Sequence, residues 1–313
     1  MSELAIGIDI GGSHVEYGFV RGSELLASET IPVREPLLKA VLPEVESGVR
    51  RLAGRLGLEL HLMAGVALGI CAIVDGANSL LATNGKYDDG VGFNFAQWSK
   101  SSFGLRCRAE NDAGLALLGE HFAGAAWGFD DAVLITLGTG IGGAVMLNGK
   151  LLRSVGRKAG GLAGHLGVSW QGRICSCGNR GCAEAEASTA SLDAICRDHE
   201  SFAGSALSAA ARTIDFRMLF EAADGGNTLA REVLDHCIGV WSSLTVSLIH
   251  AYDPQVLVFG GGVMHRQEAI LPKIREHVGR HAWAEKDSVK IVPAMLGSSA
   301  ALLGAFPLLR DNA

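Results

Sequence analysis

Two segments of the chain share one pattern: a short apolar run, a glycine turn and a second apolar run. The first is residues 5–10, Gly11-Gly12 and residues 15–20; the second is residues 132–137, the turn Gly138-Thr139-Gly140-Ile141-Gly142-Gly143 and residues 144–147. Apolar runs of this length, bounded by glycine, indicate buried strands. Because a repeated unit indicates internal duplication, the sequence predicts a pair of α/β domains that face each other across a cleft.

The hydrophobic periodicity of the remaining chain predicts the elements that complete these domains. Helices are predicted at residues 37–56, 113–122, 229–250 and 298–309, and strands at residues 65–74, 105–109 and 255–259. The last helix is rich in small residues, and we expect it to return to the first domain. The predicted division is a small N-terminal domain at 1–112, joined by the C-terminal helix 298–313, and a large domain at 113–297.

The two glycine turns are candidate phosphate sites. Asp9 ends the first strand, and Gly11, Gly12, Ser13 and His14 follow it. The N–H groups of such a turn can face a phosphate, and a carboxylate beside it can hold Mg2+ through water. Gly138, Thr139 and Gly140 form the matching turn, with the Thr139 hydroxyl as a further donor. The alternative is a pair of ordinary hairpins. Gly260, Gly261 and Gly262 either admit a nucleotide close to the backbone or only form a turn before a helix.

Glu110, Asn111 and Asp112 lie between a predicted strand and a predicted helix. A carboxylate at a strand end near a phosphate site is suited to act as general base for a hydroxyl nucleophile. The alternative is that Asn111 or Asp112 caps the helix that begins at Ala113, since both residue types are favoured there. Local sequence alone favours the cap.

A histidine and three cysteines, His165, Cys175, Cys177 and Cys182, precede the carboxylate of Glu184. This donor set is typical of a closed structural Zn2+ site in a turn-rich loop. A bound metal would hold the loop and thereby present Glu184 rigidly to a ligand. The alternative is a group of buried or redox-active thiols. His165 is either a metal ligand only or also contacts substrate through its second ring nitrogen.

Composition excludes several classes of partner. The 313 residues carry 27 basic and 33 acidic side chains, a formal net charge of −6, so no general electrostatic footprint for nucleic acid is expected. The apolar run at 63–74 is shorter than the roughly 20 residues that span a membrane. The chain shows no signal peptide, and its seven cysteines are an odd number with three close together. We therefore expect a cytoplasmic protein in a reducing compartment.

Taken together, these motifs resemble the ROK family of bacterial sugar kinases, which is glucokinase-like and belongs to the actin/Hsp70/hexokinase superfamily. The resemblance runs the length of the chain, and the Cys-x-Cys-Gly-x-x-Gly-Cys-x-Glu run at 175–184 is its most specific part. It implies a two-domain actin-like ATPase (ribonuclease-H-like) fold with an interdomain cleft, ATP with Mg2+ at the glycine turns, structural Zn2+, and a homodimer or homotetramer. It also implies Asp112 as the base, and a sugar bound by Asn84, Asn111, Asp112, His165 and Glu184.

Two departures from the family pattern fall on the sugar side. The family usually has Gly-Glu-x-Gly-His where this chain has 161–165 with Leu162, which cannot accept a hydrogen bond from a sugar. Residues 69–75 replace a Gly-x-Pro-Gly-x-Val-Asp pattern. The alternative to a kinase is therefore a non-catalytic or weakly catalytic sugar-binding regulatory protein. Repressors of the family carry a helix-turn-helix before the first hairpin, and we expect none here because four residues precede the predicted strand.

Overall fold

The computed structural model describes residues 4–83, 85–210, 212–285 and 288–310. The strands in these ranges are β1 (Leu4–Ile10), β2 (His14–Arg21), β3 (Glu24–Pro32), β4 (Val66–Ile70), β5 (Ile73–Val74), β6 (Leu80–Ala82), β7 (Cys107–Asn111), β8 (Ala132–Leu137), β9 (Ile141–Leu147), β10 (Lys150–Leu151), β11 (Val256–Gly260) and β12 (Lys290–Pro293). The helices are α1 (Leu38–Leu56), α2 (Phe95–Phe103), α3 (Asp112–Ala123), α4 (Ala183–Ala187), α5 (Thr189–Arg197), α6 (Phe216–Asp224), α7 (Thr228–Tyr252), α8 (Gln267–His281), α9 (Ala300–Leu303) and α10 (Ala305–Arg310). No helix in the described ranges combines the length and the apolar character needed to cross a membrane.

The first sheet has the strand order β3-β2-β1-β4-β7. β1 pairs antiparallel with β2 and parallel with β4, and β4 pairs parallel with β7. Side chains alternate along β1, so Ile6, Ile8 and Ile10 join the core cluster that contains the apolar stripe of α1. Gly7 points to the opposite face, where a Cβ would lie 3.1 Å from Leu302 Cδ2 of α9. The parallel strands are therefore covered on both faces, as such strands usually are.

The second sheet has the order β10-β9-β8-β11-β12 and repeats the topology of the first. β11 pairs parallel with both β8 and β12. A hairpin followed by parallel strands thus occurs twice, which agrees with the duplication that the glycine turns predict. The long helix α7 is core, as its apolar stripe indicates: Trp241 is buried and its Nε1 donates to the carbonyl of Ala187 at 3.1 Å.

The contacts within the chain divide it into two units. The first comprises the described residues of Met1–Asp130, Ala144–Gly161 and Ala294–Ala313, and the second those of Asp131–Gly143 and Leu162–Pro293. This division differs from the predicted boundary between residues 112 and 113. α3 groups with the first unit because it packs on α9 and α10.

Two predicted elements are shorter than the sequence suggests. The predicted strand at 65–74 is β4 followed by the separate short strand β5, which pairs with β6. The predicted helix at 298–309 is broken at Gly304 into α9 and α10. Pro307 lacks an N–H and its ring clashes with the carbonyl four residues earlier, so a continuous helix is disfavoured there. A Cβ at Gly304 would also overlap the carbonyl oxygen of Leu115 in α3.

A buried carboxylate ties the C-terminal segment to α3. Glu120 is 0 % exposed, and its oxygens accept hydrogen bonds from the N–H groups of Ala125 at 2.7 Å, Met295 at 3.2 Å and Leu296 at 2.9 Å. A buried charge is tolerated when hydrogen bonds replace its lost hydration. Glu120 therefore fixes the entry of residues 295–296 into the first unit.

Replacing Glu120 with alanine should lower the free energy of unfolding by roughly 3 kcal/mol or more, because three hydrogen bonds to this buried side chain are lost. Chemical denaturation measures the change. The matched control is Glu221→Ala, an exposed residue that pairs with Arg217 on α6, for which we expect about 0.5 kcal/mol or less. Equal effects of the two substitutions would contradict the role given to Glu120.

Candidate functional site

The first glycine turn joins β1 to β2, and a hydrogen bond from Tyr87, a residue outside the turn, fixes its backbone. The Gly11 N–H donates to the His14 carbonyl at 3.1 Å, and the Tyr87 hydroxyl donates to the Gly11 carbonyl at 2.7 Å. In a trans peptide the C=O and the following N–H point in opposite directions. The Gly12 N–H is therefore directed away from Tyr87, as a donor for a phosphate must be. Ser13 and His14 are exposed, with the hydroxyl 3.2 Å from the ring Nδ1.

Asp9 is half-buried beside this turn. Its neighbour on β4 is Gly69, where a Cβ would come within 3.1 Å of Asp9 Oδ1 and 3.4 Å of the Asp112 Cα. A side chain at position 69 would therefore press on the Asp9 carboxyl and on the backbone of Asp112. Asp9 Oδ1 is buried and has no hydrogen-bond partner among the described residues.

Burial, with the nearby charges of Asp112 and Glu16, raises the pKa of Asp9 to about 7. Burial also raises the pKa of Asp112. The N–H groups at the start of α3 and other nearby groups partly oppose this rise. Crowded carboxylates of this kind favour either a retained proton or a bound cation. A buried carboxylate oxygen without a partner fits the oxygen-ligand preference of Mg2+, so Asp9 is suited to hold that ion.

The raised pKa of Asp9 predicts a pH-dependent stability. The folded state keeps the proton that the unfolded state loses near pH 3.8, so the stabilising contribution is complete below that pH and is lost as pH rises through about 7. The free energy of unfolding of the protein minus that of Asp9→Asn should fall by roughly 4 kcal/mol between about pH 4 and about pH 8. Millimolar Mg2+ should reduce this difference. Denaturation at several pH values measures it, and a flat difference would contradict the prediction.

Asn111 and Asp112 occupy the junction of β7 and α3. The Ala113 N–H is shared by Asn111 Oδ1 at 3.1 Å and Asp112 Oδ1 at 2.9 Å, while Asn111 Nδ2 donates to the Ala72 carbonyl at 3.3 Å. The cap that local sequence favours is therefore present. It also orients the Asp112 carboxyl beside Asp9, so capping and a chemical role are compatible.

An ion pair that the sequence does not reveal supports this junction. Glu110 Oε1 accepts from the Asn111 N–H at 3.0 Å, and Glu110 Oε2 accepts from Arg153 Nε at 2.8 Å. Both side chains are largely buried, 14 % and 12 % exposed. The two residues are far apart in the chain, and a lone arginine in a loop carries no sign of such a partner. The pair restrains Asn111 from the side opposite the cap.

The second glycine turn is held by a helix N-terminus. The first two N–H groups of α5 donate outward, from Thr189 to the Gly138 carbonyl at 3.1 Å and from Ala190 to the Thr139 carbonyl at 3.0 Å. By the same trans-peptide geometry, the N–H groups of Thr139 and Gly140 point away from α5. Two successive N–H groups directed the same way form an anion-binding nest.

Glu184 lies directly against this turn. Its Oε2 accepts a hydrogen bond from the Ile141 N–H at 2.9 Å, and a Cβ at Gly140 would overlap the same carboxylate. Glu184 is the second residue of α4 and follows Cys182 closely. The predicted sugar ligand is therefore also bonded to the end of the predicted phosphate turn.

The side chains of the four candidate metal ligands converge in the structure. The ligand atoms of His165, Cys175, Cys177 and Cys182 all lie within 4.8 Å of one another. Cys175 Sγ is 3.5 Å from His165 Nδ1, and the sulfurs of Cys177 and Cys182 are 3.7 Å apart. Tetrahedral Zn–S bonds of about 2.3 Å place two sulfurs roughly 3.7 Å apart, so the donor set fits Zn2+.

The late triple glycine packs under the second turn. Gly260 ends β11, and Gly261 has φ 89°, a conformation that favours glycine. A Cβ at Gly261 would overlap the Leu137 carbonyl at the end of β8, and Gly262 begins a short 3-10 helix. The tight turn thus has a packing reason of its own. Asn84, predicted to bind sugar, lies outside the described residues.

Loss of the metal should loosen the second turn, since Cys182 and Glu184 share one short segment. We expect Cys177→Ser, or chelation of the protein, to speed amide exchange at Thr139–Ile141 by roughly tenfold or more. Hydrogen exchange with mass spectrometry measures this, alongside metal content. The control is Cys107→Ser on the buried strand β7 of the other unit, which should leave exchange at 139–141 unchanged. A native protein without zinc would contradict the assignment.

Known proteins with similar sequences and structures include sugar kinases. The model of the ROK family matches residues 5–312. A glucokinase from Thermotoga maritima is 29 % identical, the alignment covering 98 % of this chain and 97 % of that protein. An N-acetylmannosamine kinase from Citrobacter koseri is 35 % identical over 212 residues, 67 % of each chain. The crystal structure of a ROK family glucokinase from Streptomyces griseus in complex with glucose and AMPPNP superposes with a TM-score of 0.82 at 27 % identity, covering 97 % of this chain and 98 % of that one.

Proposed function

We propose that this chain, which belongs to the ROK family and is a sugar kinase, transfers the γ-phosphoryl group of ATP to a hydroxyl group of a hexose or modified hexose. Asp112 is the general base. The single observation that supports the mechanism is the electrostatic interaction of Asp112 with Asp9, the residue that precedes the first glycine turn. Phosphoryl transfer depends on positioning and charge neutralisation, and these groups supply both.

The nucleotide side rests on the two glycine turns. Each directs backbone N–H groups away from a support that holds its carbonyls, Tyr87 in one case and α5 in the other. The Streptomyces griseus relative binds AMPPNP, an ATP analogue, which supports ATP as the donor. Asp9 would hold Mg2+, whose charge neutralises the phosphates when it is bound.

The acceptor side rests on Asp112. Its carboxyl is buried, and burial raises its pKa, which brings a carboxylate closer to the basicity that suits proton transfer at neutral pH. The acceptor O–H gives its proton to Asp112 as the oxygen bonds to phosphorus and the bond to the leaving ADP breaks. Asn111 fixes the junction through its cap and its bond to Ala72.

Asn111, Asp112, His165 and Glu184, with Asn84, form the proposed sugar-binding set. The relatives named glucokinase and N-acetylmannosamine kinase support a hexose or an amino-sugar derivative as substrate. Leu162 supplies no hydrogen-bond acceptor. Loss of one charge-assisted bond of about 1.5–3 kcal/mol weakens binding roughly ten- to a hundredfold, so we expect weak affinity for an unmodified hexose. Structural Zn2+ would hold the loop that carries His165 and Glu184.

Asp112→Asn should reduce kcat by roughly a thousandfold or more, because the base is lost while size and cap are retained. A coupled ADP-release assay on a panel of hexoses, amino sugars and N-acetyl sugars measures it and also identifies the acceptor. The control is Asp235→Asn, an exposed residue paired with Lys273, which should leave turnover unchanged.

Near-normal turnover by Asp112→Asn would exclude Asp112 as the base. Sugar binding by calorimetry without any sugar-dependent ADP release from the native protein would favour the alternative, a sugar-binding regulatory protein. The homodimer or homotetramer stays a prediction, and sedimentation of the native protein tests it.

A further inference from the structure

The side chain of Lys86 lies across the first glycine turn. A Cβ at Gly12 would overlap the Lys86 Nζ and would come within 3.1 Å of Cδ and Cε. The missing side chain at Gly12 is therefore the space that the ammonium occupies. Lys86 is half-buried, so its charge is held at the turn and not in bulk solvent.

The backbone next to Lys86 is fixed. Tyr87 is 1 % exposed and has φ 61°, a left-handed conformation that is uncommon for a bulky residue. Its N–H donates to the Pro36 carbonyl at 2.7 Å and its hydroxyl to the Gly11 carbonyl at 2.7 Å. Backbone strain of this kind persists where surrounding contacts impose it, and it is concentrated at functional sites. The same residue that holds the glycine turn thus also places Lys86.

The surroundings of Lys86 are acidic. Asp9, Asp112 and Glu16 interact electrostatically at this end of the first sheet. Burial raises the pKa of Asp112, and the positive charge of Lys86 is among the groups that oppose this rise. Burial likewise raises the pKa of Cys71 to about 12, and the positive charge of Lys86 again opposes the rise. The ammonium is thus within electrostatic reach of the proposed base. Within the described ranges, no hydrogen bond or ion pair engages it.

We propose that Lys86 is a further catalytic residue, whose ammonium binds the phosphoryl group as it passes from the Gly11-Gly12 turn to the acceptor at Asp112. The inference rests on the proposed kinase reaction. Negative charge on the transferred group needs compensation in the transition state, and a fixed cation supplies it without reorganisation. The proton of the acceptor hydroxyl goes to Asp112, the new O–P bond forms, and the bond to ADP breaks.

The test compares Lys86→Met with the native protein. We expect kcat to fall roughly a hundredfold or more, while the free energy of unfolding changes little because Lys86 has no polar partner to lose. ATP should bind roughly tenfold more weakly, and ADP, which lacks the γ-phosphate, should bind as before. Lys86→Arg keeps the charge and should recover part of the lost kcat. Lys100→Met, an exposed lysine of α2 in the same unit, is the control and should behave as the native protein.

The pH profile gives a readout that a merely structural role would not change. The titratable groups that interact electrostatically with Asp112 are Asp9 on β1, Cys71 after β4 and Lys86, and the Ala113 N–H donates to its carboxyl. Removing the positive charge raises the pKa of Asp112 further. The acidic limb of kcat/KM should therefore move to higher pH in Lys86→Met and stay in place in Lys100→Met.

Several outcomes would overturn the proposal. One is a Lys86→Met protein with kcat within about threefold of the native value. Another is an equal loss of binding affinity for ATP and for ADP. Weaker sugar binding with unchanged ATP binding would assign Lys86 to the sugar instead. If Lys86→Met does not fold, Lys86→Gln is measured in its place under the same criteria. A native protein without sugar-dependent turnover would refute the proposed function itself, a result seen before any variant is made.

Discussion

Asp9 and Asp112 interact electrostatically at the end of the first sheet, where Gly69, which has no side chain, lies against the Asp9 carboxyl and the Asp112 backbone. Burial, with the nearby charges of Asp112 and Glu16, raises the pKa of Asp9 to about 7, and burial raises the pKa of Asp112. Such an arrangement is costly for stability unless a cation or a proton is bound. The neighbouring groups can reduce this electrostatic cost. The Gly11-Gly12 turn is suited to a phosphate with its Mg2+, and the Lys86 ammonium lies at the same turn.

Both glycine turns achieve the same orientation of their N–H groups by different means. In the first, one tyrosine hydroxyl holds the Gly11 carbonyl; in the second, two N–H groups of α5 hold the carbonyls of Gly138 and Thr139. A flexible glycine segment loses much conformational entropy when it binds a ligand. Holding the carbonyls beforehand removes part of that loss, so each turn is pre-formed for an anion.

Local sequence patterns predict those structural features that are formed by residues close to one another in the chain. The paired glycine turns predict the two sheets, the residues at 111–112 predict a helix cap, and the cysteine spacing predicts a convergent ligand set. Contacts between distant segments have no such local trace. The Glu110–Arg153 pair, the bond from Ile141 to Glu184 and the placement of Lys86 over Gly12 arise only when the sheets bring their elements together. The small-residue pattern at 298–309 predicts one continuous helix, whereas the structure breaks it at Gly304, three residues before Pro307.

The segment from Cys182 to Ala190 combines three tasks in the second unit. It contains one of the four convergent donor residues, the acceptor for the Ile141 N–H, and the two N–H groups that hold the carbonyls of Gly138 and Thr139. Because α4 and α5 follow one another almost directly, displacement of one of these groups shifts the others. Substitutions there cannot be independent, since contacting residues in one hydrogen-bond network are energetically coupled. A substitution that displaces Glu184 is therefore expected to disturb the hydrogen bonds from the start of α5 to Gly138 and Thr139 as well.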